Sequence, residues 1–380
     1  MPKKVILNAN VAFVLYNFRY GLMKALDRNG YEVICVAQSD KSKPKIEENG
    51  WKFVAVSLDR RGKNIINDLK LFLEYLKIFR KEKPDYILNF TIKPNIYGAM
   101  AAKILGIPTI NNVTGLGDMF DGGKCNSKIV SLLYKIAFRF PKRIFFQNND
   151  DMNIFLNNGL VKKEKCVRVP GSGVDTTKFV PVEKKNIDDK IRFLFLGRIS
   201  NKKGVRIINE VSKLLTPKYP NIEFQLLGKI YTDEDEHISL EEIKEWEKQS
   251  NIRYLGTSSD VRNEISQADC IIFPSFYREG VPRSLIESAA MGKSILTTDN
   301  VGCRDIVEDG YNGYLAEPKS VESMLEIVDK FLNLSKDQQK RLGENGRKKA
   351  VEQFDERIVI ESYLNEIIGR KRNDKLQKNY

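Results

Sequence analysis

Two glutamates on either side of a short turn are the residues of this chain whose types and spacing most suggest chemistry. Glu279 and Glu287 flank the turn Gly280-Val281-Pro282, where carboxylates can accept hydrogen bonds from sugar hydroxyls. Pro282 suits the first position of a helix, whose free backbone N–H groups, beginning at Arg283, can bind an anion. Acidic residues are also common near helix starts for electrostatic reasons alone. The turn therefore predicts either a phosphate and sugar site or an ordinary helix start.

Two cations follow a predicted strand earlier in the chain. The apolar run Ile191 to Leu196 predicts a buried strand, and it leads directly into Gly197 and Arg198. Lys203 lies on the same loop, before a helix predicted from Val205 to Leu215. Because ligands of open α/β sheets bind at the carboxyl ends of strands, Arg198 and Lys203 together can neutralise a diphosphate there. Either cation taken alone would be interpreted as a solvated loop charge.

The elements that must position these residues form two series of strands and helices. With 380 residues, of which 42% are hydrophobic, the chain can bury two cores. The alternation of apolar and helical stretches predicts an α/β fold with two doubly wound sheets. The strands predicted in the first half are Val5 to Asn8, Val33 to Ala37, Tyr86 to Asn89 and Thr109 to Asn112, and a helix is predicted from Ile65 to Lys81. The strands predicted in the second half are Ile191 to Leu196, Glu223 to Leu227, Ile252 to Leu255, Cys270 to Phe273 and Ser294 to Thr297.

The domain organisation is predicted from the segment Val169 to Asp175, which contains proline and two glycines and precedes a charged stretch, as a hinge does. Residues 1–175 are expected to form a first domain and residues 176–355 a second. Residues 356–380 are expected to form a C-terminal helix that packs back toward the first domain. The cleft is expected at the hinge.

Joined together, these motifs resemble the C-terminal half of the family 4 retaining glycosyltransferases of the GT-B fold, in which two Rossmann-like domains face each other across a cleft. The segments that carry the resemblance are Gly197-Arg198, Lys203-Gly204, Glu279 with Glu287, and Ser288 to Asp299. The resemblance implies that residues 1–175 are the acceptor-binding domain and residues 176–355 the donor-binding domain. It also implies that Arg198 and Lys203 hold the donor diphosphate and that Glu287 holds the ribose. The residues that it implies at the transferred sugar are Glu279, Gly280 and Val281.

The N-terminal half is similar to bacterial members of this family that build capsule, O-antigen or protein-linked glycans on polyprenyl diphosphate carriers, including those that add GalNAc to undecaprenyl diphosphate-linked bacillosamine. The segments that carry this similarity are Phe18-Arg19, Thr114 to Gly117 and Ile129 to Phe146. Many relatives place a histidine after the fourth strand, where this chain has Lys93 and Asn95, and either residue can supply the polar contact instead. The other cleft residues expected at the acceptor are Arg19, Thr114, Gly115 and Gly117. In the second half, Gly256 and Thr257 follow a predicted strand and can hold the uracil through backbone groups.

The resemblance implies a retaining transferase that moves a sugar, with GalNAc favoured, from a UDP-sugar to a polyprenyl diphosphate-linked saccharide. No cofactor or metal is expected, because cations and a helix dipole can offset the charge of the leaving diphosphate. The acidic run Asp233 to His237, which contains the only histidine of the chain, is interpreted as a solvated loop rather than a metal site. Two alternatives remain: a UDP-sugar epimerase of the same fold, and a non-catalytic scaffold bound to a membrane.

The positive charge of the chain is concentrated in its first half. Residues 1–180 contain 30 Lys and Arg against 16 Asp and Glu, whereas residues 181–380 contain 33 against 34. Cations alternate with apolar residues in the run Ile129 to Phe146 and in the residues just before it. This pattern predicts an interfacial helix on an anionic membrane surface, and the alternative is a core helix with a basic solvent face. These cations are Lys124, Lys128, Lys135, Arg139, Lys142 and Arg143. No nucleic-acid partner is expected, because no zinc finger, RNA-recognition signature or basic-aromatic repeat is present.

The cysteines and the apolar segments indicate the cellular compartment of the protein. Five cysteines lie far apart and form no CxxC pair, which favours a reducing compartment. The start of the chain lacks a cleavage site for a signal peptide, and no stretch approaches the roughly 20 apolar residues that span a bilayer. We therefore expect a cytoplasmic protein that is peripheral on the inner face of the cell membrane.

Overall fold

The computed structural model describes residues 2–59, 64–117, 120–121, 124–125, 128–184, 188–231 and 237–369. The chain divides into two compact units. Unit 1 takes the chain up to Gly173 and again from Glu356, and unit 2 spans Val174–Asp355. The boundary after Gly173 lies two residues before the domain boundary predicted after residue 175. The boundary after Asp355 is at the predicted position.

Unit 1 is built on a seven-stranded parallel sheet with the strand order β3-β2-β1-β4-β5-β8-β9. Its strands are β1 Lys4–Val11, β2 Glu32–Gln38, β3 Lys52–Ala55, β4 Tyr86–Phe90, β5 Thr109–Val113, β8 Arg143–Phe146 and β9 Cys166–Arg168, and a small antiparallel pair is formed by β6 Phe120–Asp121 and β7 Lys124–Cys125. Its helices are α1 Ala12–Arg28, α2 Lys43–Glu48, α3 Ile65–Glu82, α4 Ala99–Ile104, α5 Lys128–Ala137, α6 Asn149–Asn157 and α14 Glu356–Ile368. A π-helical turn, Pro94–Gly98, leads from β4 into α4.

Unit 2 has a six-stranded parallel sheet with the order β12-β11-β10-β13-β14-β15. Its strands are β10 Ile191–Leu196, β11 Ile222–Leu227, β12 Ile252–Gly256, β13 Cys270–Phe273, β14 Ser294–Thr298 and β15 Gly313–Ala316. Its helices are α7 Val205–Leu215, α8 Leu240–Gln249, α9 Arg262–Gln267, α10 Arg283–Ala290, α11 Cys303–Ile306, α12 Val321–Leu332 and α13 Lys336–Gln353. The strands are nearly continuous apolar runs, because helices cover both faces of a parallel sheet.

Every strand predicted from the sequence is present, and six short strands of the structure were not predicted, namely the antiparallel pair β6 and β7 and four strands of the two parallel sheets. The four in the parallel sheets are β3, β8, β9 and β15, of which β3, β9 and β15 lie at sheet edges. The predicted helical run Ile129 to Phe146 is wrong in its second part, since α5 ends at Ala137 and Arg143 begins β8. Pro141 lies between them, and proline cannot continue a helix.

The faces of the unit 1 sheet pack against different helices. On one face, Leu71, Tyr75 and Phe79 of α3 pack with Ile6 and Ile87 of the sheet. The same face carries Ile144, against which Tyr134 of α5 packs. On the other face, Val5 and Leu7 pack with α1 and with Val359, Tyr363 and Ile367 of α14. The last helix is thus part of the core of unit 1, although it follows unit 2 in the chain.

A row of asparagines crosses the carboxyl end of the unit 1 sheet. Asn8, Asn89 and Asn111 lie in register on β1, β4 and β5 and are fully buried. The side-chain amide of Asn8 donates to Asn89 (3.0 Å), and the amide of Asn89 donates to Asn111 (3.0 Å). Asn111 donates in turn to the backbone carbonyl of Asn95 (2.7 Å) in the π-helical turn. The row thereby ties the turn after β4 to three strands.

Among the helices that the structure describes, none combines the length and the hydropathy that crossing a membrane requires.

Candidate functional site

The predicted donor residues lie at the switch point of the unit 2 sheet. β10 and β13 are neighbours, and the chain continues from them toward opposite edges of the sheet. Parallel sheets of this kind bind ligands in the crevice beyond the carboxyl ends of such strands. Arg198 and Lys203 follow β10, and Glu279 lies on the loop that follows β13. The sheet topology therefore brings together two segments that are about 80 residues apart in sequence.

The two loops are bonded to each other. The carbonyl of Lys202 accepts hydrogen bonds from the backbone N–H groups of Phe276 and Tyr277, each at 3.1 Å. The ammonium of Lys203 contacts a carboxylate oxygen of Glu279, to which the hydroxyl of Ser275 also donates (3.3 Å). The side chains of Lys203 and Glu279 are only 9% and 13% exposed. A cation and a carboxylate are thus held together in a partly desolvated place, where electrostatic interactions are stronger than in water.

Aromatic rings surround the cations. The ring of Tyr277 lies 5.7 Å from the guanidinium of Arg198 and 5.3 Å from the ammonium of Lys203. Tyr231 lies 4.9 Å from Arg198. The negative face of an aromatic ring attracts cations, so these rings help to keep two positive groups close to each other. Sequence reasoning missed both tyrosines, since no spacing in the chain shows that Tyr231 meets Arg198.

Glu287 is paired within its own helix. The Nε of Arg283 donates to Oε1 of Glu287 (2.8 Å), one turn away on α10. Burial raises the pKa of the Glu287 carboxyl above its usual value, and the cation of Arg283 offsets part of that effect. The helix begins at Arg283, and Pro282 is the capping residue rather than the first helical residue. Leu285 is two residues into the series of N–H groups that were expected to bind an anion from Arg283 onward, and its N–H donates instead to the carbonyl of Pro282 (3.1 Å).

Glycines line the carboxyl ends of β10, β11 and β12. The N–H of Gly197 donates to Leu227 (3.0 Å), and the N–H of Gly228 donates to the carbonyl of Gly256 (2.8 Å). A Cβ at Gly228 would lie 1.6 Å from the carbonyl oxygen of Gly197, so no other residue fits there. Thr257, predicted with Gly256 as a uracil contact, is exposed directly after β12. Gly228 was missed, although a glycine directly after an apolar strand is a signal for close backbone approach.

A third loop, after β14, supports the Glu279 segment. Asn300 donates from its side chain to the carbonyl of Tyr277 (2.8 Å), and Thr298 donates to the carbonyl of Ser275. Gly302 has a φ of +82°, and a Cβ there would lie 2.3 Å from the carbonyl oxygen of Gly280. The backbone of Gly280 and the adjoining Val281 is therefore positioned by direct contact with this loop. Sequence reasoning did not single out Asn300 or Gly302.

The predicted acceptor residues lie in unit 1, at two neighbouring strand ends. Lys93 follows β4, and its ammonium pairs with Asp68 of α3 (2.6 Å). Asn95 is buried, and its side-chain amide donates to the carbonyl of Asn112 (2.8 Å) on β5. The loop with Thr114, Gly115 and Gly117 follows β5, and both glycines have a positive φ. The fold thus brings the two segments together, with Asn95 serving as a link between strand ends.

Arg19 lies on the opposite side of the same strand end. It is only 3% exposed, and its guanidinium lies 4.5 Å from the ring of Phe90. The buried hydroxyl of Tyr363 lies on the same side, and burial raises the pKa of this residue to about 12, while the positive charge of Arg19 partly offsets the increase. Arg19 therefore packs in the core beneath β4.

Two cations of the predicted interfacial helix have other contacts. Lys142 donates to the backbone carbonyl of Glu366 (2.6 Å), and Arg143 donates to the Glu366 carboxylate (2.9 Å). Lys142, Arg143 and also Arg139 follow α5, and Lys124 lies on β7, so the prediction that these cations belong to one interfacial helix is wrong. Lys135 and Arg139 are exposed, whereas the side chain of Lys128 lies outside the described residues.

The acidic residues 233–236, which were interpreted from the sequence as a solvated loop, lie outside the described part of the chain. His237 itself is exposed. Within the part that the structure describes, no three His, Cys, Asp or Glu side chains gather closely enough to hold a metal ion.

Two family models match the chain, one in each unit. The family described as Glycosyl transferases group 1 matches residues 178–349, and the family described as Glycosyl transferase 4-like matches residues 4–148. The N,N'-diacetylbacillosaminyl-diphospho-undecaprenol alpha-1,3-N-acetylgalactosaminyltransferase of Campylobacter jejuni is 30% identical over 92% of this chain and 94% of that protein. The UDP-Gal:alpha-D-GlcNAc-diphosphoundecaprenol alpha-1,3-galactosyltransferase of Escherichia coli is 26% identical over 77% of this chain and 78% of that protein.

A solved structure shows the same fold. The structure of HepE from Anabaena in complex with UDP superposes with a TM-score of 0.77 at 15% identity, covering 97% of this chain and all of that chain.

Proposed function

Since this chain belongs to the glycosyltransferases of the GT-B fold, in the group 1 and 4-like families, we propose that it moves an N-acetylhexosamine from a UDP-sugar to a saccharide on a polyprenyl diphosphate carrier. GalNAc is the favoured sugar, and the anomeric configuration is retained. The named substrates of the two relatives support the acceptor class, and the UDP complex of the Anabaena protein supports the donor class.

The observation that carries the proposal is the convergence of Arg198, Lys203 and Glu279 at the switch point of the unit 2 sheet. Tyr277 lies within 6 Å of both cations, so they form one compact positive site. A diphosphate at this place would be met by a fork-shaped guanidinium and an ammonium. Glu287, one helical turn from Arg283, supplies a carboxylate for the ribose hydroxyls.

The reaction breaks the bond between the anomeric carbon of the donor sugar and the diphosphate oxygen. The electron pair of that bond passes to the diphosphate, where Arg198 and Lys203 stabilise the developing charge. The acceptor hydroxyl attacks the anomeric carbon on the face that the diphosphate leaves, and its proton passes to the leaving phosphate. Glu279 positions the donor sugar and the ammonium of Lys203. The residues of this chain therefore act by binding and charge stabilisation, with no protein nucleophile required.

We further propose that the protein works at the cytoplasmic face of the cell membrane, where a polyprenyl-linked acceptor is anchored. The net positive charge of residues 1–180, with 30 cations against 16 anions, would attract an anionic surface.

The test is transfer itself. Purified protein is incubated with UDP-GalNAc, UDP-GlcNAc or UDP-Gal and a short-chain polyprenyl diphosphate-linked monosaccharide, and the product mass and linkage are measured. Arg198→Ala should lower kcat/KM by about 100-fold or more, as removal of a charge-stabilising group does elsewhere. Lys213→Ala, an exposed cation of α7 paired with Glu210, should leave it unchanged. Wild-type turnover by Arg198→Ala would contradict the assignment, and conversion of a UDP-sugar without acceptor would show an epimerase instead.

A further inference from the structure

One surface of unit 1 exposes more aliphatic side chains than a solvent-facing surface normally does. Seven isoleucine and leucine side chains on α3, α4 and α5 are each more than half exposed. They are Ile65, Ile66, Leu69, Leu73, Ile104, Ile129 and Leu132. Scattered exposed apolar residues are ordinary, but a group on adjacent helices indicates an interaction surface.

These helices cover one face of the sheet together. Leu71 of α3 and Ala101 of α4 pack in one cluster with Ile6 and Ile87. Tyr134 of α5 packs with Ile96 of the π-helical turn that precedes α4. The exposed side chains therefore belong to one layer, and we name its outer surface the α3–α5 surface.

The α3–α5 surface is basic as well as apolar. The exposed cations of the three helices are Lys70, Lys77, Arg80, Lys81, Lys103 and Lys135. The acids of the three helices are all on α3, and each has a partner: Asp68 pairs with Lys93, Glu74 accepts from the N–H of Ser57, and Glu82 pairs with Lys52. Aliphatic side chains among cations, with the acids already bonded, are the composition that anionic lipid interfaces bind.

The surface reaches the strand ends where the acceptor residues lie. Asp68 in the first turn of α3 bonds both the ammonium of Lys93 (2.6 Å) and the hydroxyl of Tyr97 (2.8 Å). Ile65, Ile66 and Leu69 lie within one turn of Asp68 along the helix. The most exposed aliphatic group is thus adjacent to the loop that follows β4.

We propose that the α3–α5 surface docks on an anionic phospholipid bilayer, with Ile65, Ile66 and Leu69 entering the interface and the lysines binding lipid headgroups. This docking would place the loop after β4 at the level where a polyprenyl-linked sugar emerges from the membrane. The inference rests on the proposed function in its choice of acceptor, but the docking itself is measured without any sugar.

The experiment compares vesicle binding and transfer in the same preparations. Wild-type protein should co-sediment with vesicles of phosphatidylglycerol and phosphatidylcholine and should bind pure phosphatidylcholine more weakly. The double variant Ile66→Ser with Leu69→Ser should lower the partition coefficient on the anionic vesicles by about tenfold or more. Leu214→Ser, which changes an equally exposed leucine on α7 of unit 2, is the matched control and should bind as the wild type does.

Transfer to a short-chain acceptor in solution should be equal in the wild type, the double variant and the control, because the changed residues lie outside the donor and acceptor sites. Vesicle binding by the double variant at the wild-type level would overturn the docking proposal. The docking proposal would also be overturned if the wild-type protein did not bind vesicles but formed dimers, and if the double variant were monomeric. The surface would then be an interface between copies of this chain. If none of the three proteins transferred sugar in solution, the proposed function would be overturned. The vesicle-binding result would still test the docking proposal.

Discussion

The ammonium of Lys203 can bind two partners at the same time. Its ammonium has three N–H donors, and the carboxylate of Glu279 uses only part of them. A diphosphate bound beside Arg198 can therefore share the ammonium with Glu279 rather than displace it. Glu279 keeps the ammonium in place, and the ring of Tyr277 lies against it at 5.3 Å. The positive site is thus organised by residues that do not touch the phosphate themselves.

The buried carboxyl of Glu287 predicts a pH dependence of donor binding. Because burial raises the pKa of Glu287, lowering the pH from 7 should protonate it sooner than an ordinary glutamate. The neutral form accepts ribose hydrogen bonds less well, so the affinity for a UDP-sugar should fall as the pH falls through the raised pKa. Titration calorimetry with UDP-GalNAc, whose diphosphate does not change charge in this range, measures the effect. Glu287→Gln should bind about tenfold or more weakly at neutral pH, with little pH dependence.

Stability gives the control for this prediction. When folding raises the pKa of a carboxyl, that carboxyl destabilises the folded protein at high pH. The destabilisation develops as the pH rises from the pKa in the unfolded chain through the pKa in the folded protein. Glu287→Gln should therefore unfold at the same or a higher urea concentration than the wild type at neutral pH. A variant that loses both affinity and stability would show that Glu287 is structural.

Residues on loops after apolar strands could be found from the sequence, and the groups that support them could not. Arg198 and Glu279 are polar residues on the loops that follow two strands, a position that favours ligand binding in any α/β sheet. Tyr231 is linked to Arg198 only by the packing of the loops after β10 and β11. Such contacts depend on the relative placement of two chain segments, which spacing along one chain does not encode.

At the scale of elements, the donor site is an assembly of loops that follow β10, β13 and β14. The loops after β10 and β13 are joined through the carbonyl of Lys202, and the loop after β14 holds the backbone of Ser275 and Tyr277 through Asn300 and Thr298. The loops are short and bonded to each other, so a change in one should move the others.

Gly302 offers a test of this coupling. Gly302→Ala places a Cβ against the carbonyl of Gly280 and should move the Glu279 segment. We expect kcat/KM for the UDP-sugar to fall by about tenfold or more, because small displacements of positioning groups have large effects on rate. The free energy of unfolding should fall by about 1–3 kcal/mol, since alanine is strained at a positive φ.

Gly310→Ala is the matched control. Gly310 has a φ of +75°, and no described atom lies within 4 Å of the position of its Cβ. The substitution carries the same backbone strain without the contact, so it should lower stability while kcat/KM stays at the wild-type value. Equal losses of activity in the two variants would show that strain alone, and not the contact with Gly280, controls the site.

The strands missed from the sequence have a common physical reason. β9 has three residues and β15 has four, the first of them a glycine, so both are too short to show a long apolar run. β3 also has four residues, and none of its side chains is fully buried. β8 was merged with the preceding helix because apolar residues continue from α5 through Phe138 and Phe140. Periodicity identifies the centre of a sheet better than its edges, because only central strands are buried on both faces.

At the scale of the whole molecule, the end of the chain completes the unit in which the chain began. Tyr363 of α14 is fully buried, and its hydroxyl accepts a hydrogen bond from Asn112, 251 residues earlier (2.6 Å). Its ring lies 4.6 Å from Phe145 on β8. The core of unit 1 therefore depends on residues that are synthesised after the whole of unit 2.

Tyr363→Ala tests this dependence. Loss of a buried aromatic ring should lower the stability of unit 1 by about 3–5 kcal/mol. Hydrogen exchange should lose protection in peptides of β4, β5 and β8, whereas peptides of the unit 2 sheet should be unchanged and UDP-sugar binding retained. Tyr311→Ala, at an exposed tyrosine of unit 2, should change stability by no more than about 0.5 kcal/mol. Unchanged protection in unit 1 of the Tyr363 variant would contradict the role given to α14.

The asparagine row of unit 1 has a direction. It ends on the carbonyl of Asn95, which can only accept, so Asn111 must present its NH2 group there and its oxygen toward Asn89. Asn89 must then present its oxygen toward Asn8. One backbone atom thus decides the orientation of three side-chain amides across three strands. An aspartate has nearly the shape of an asparagine but lacks the donor, so it would break the row wherever it stood.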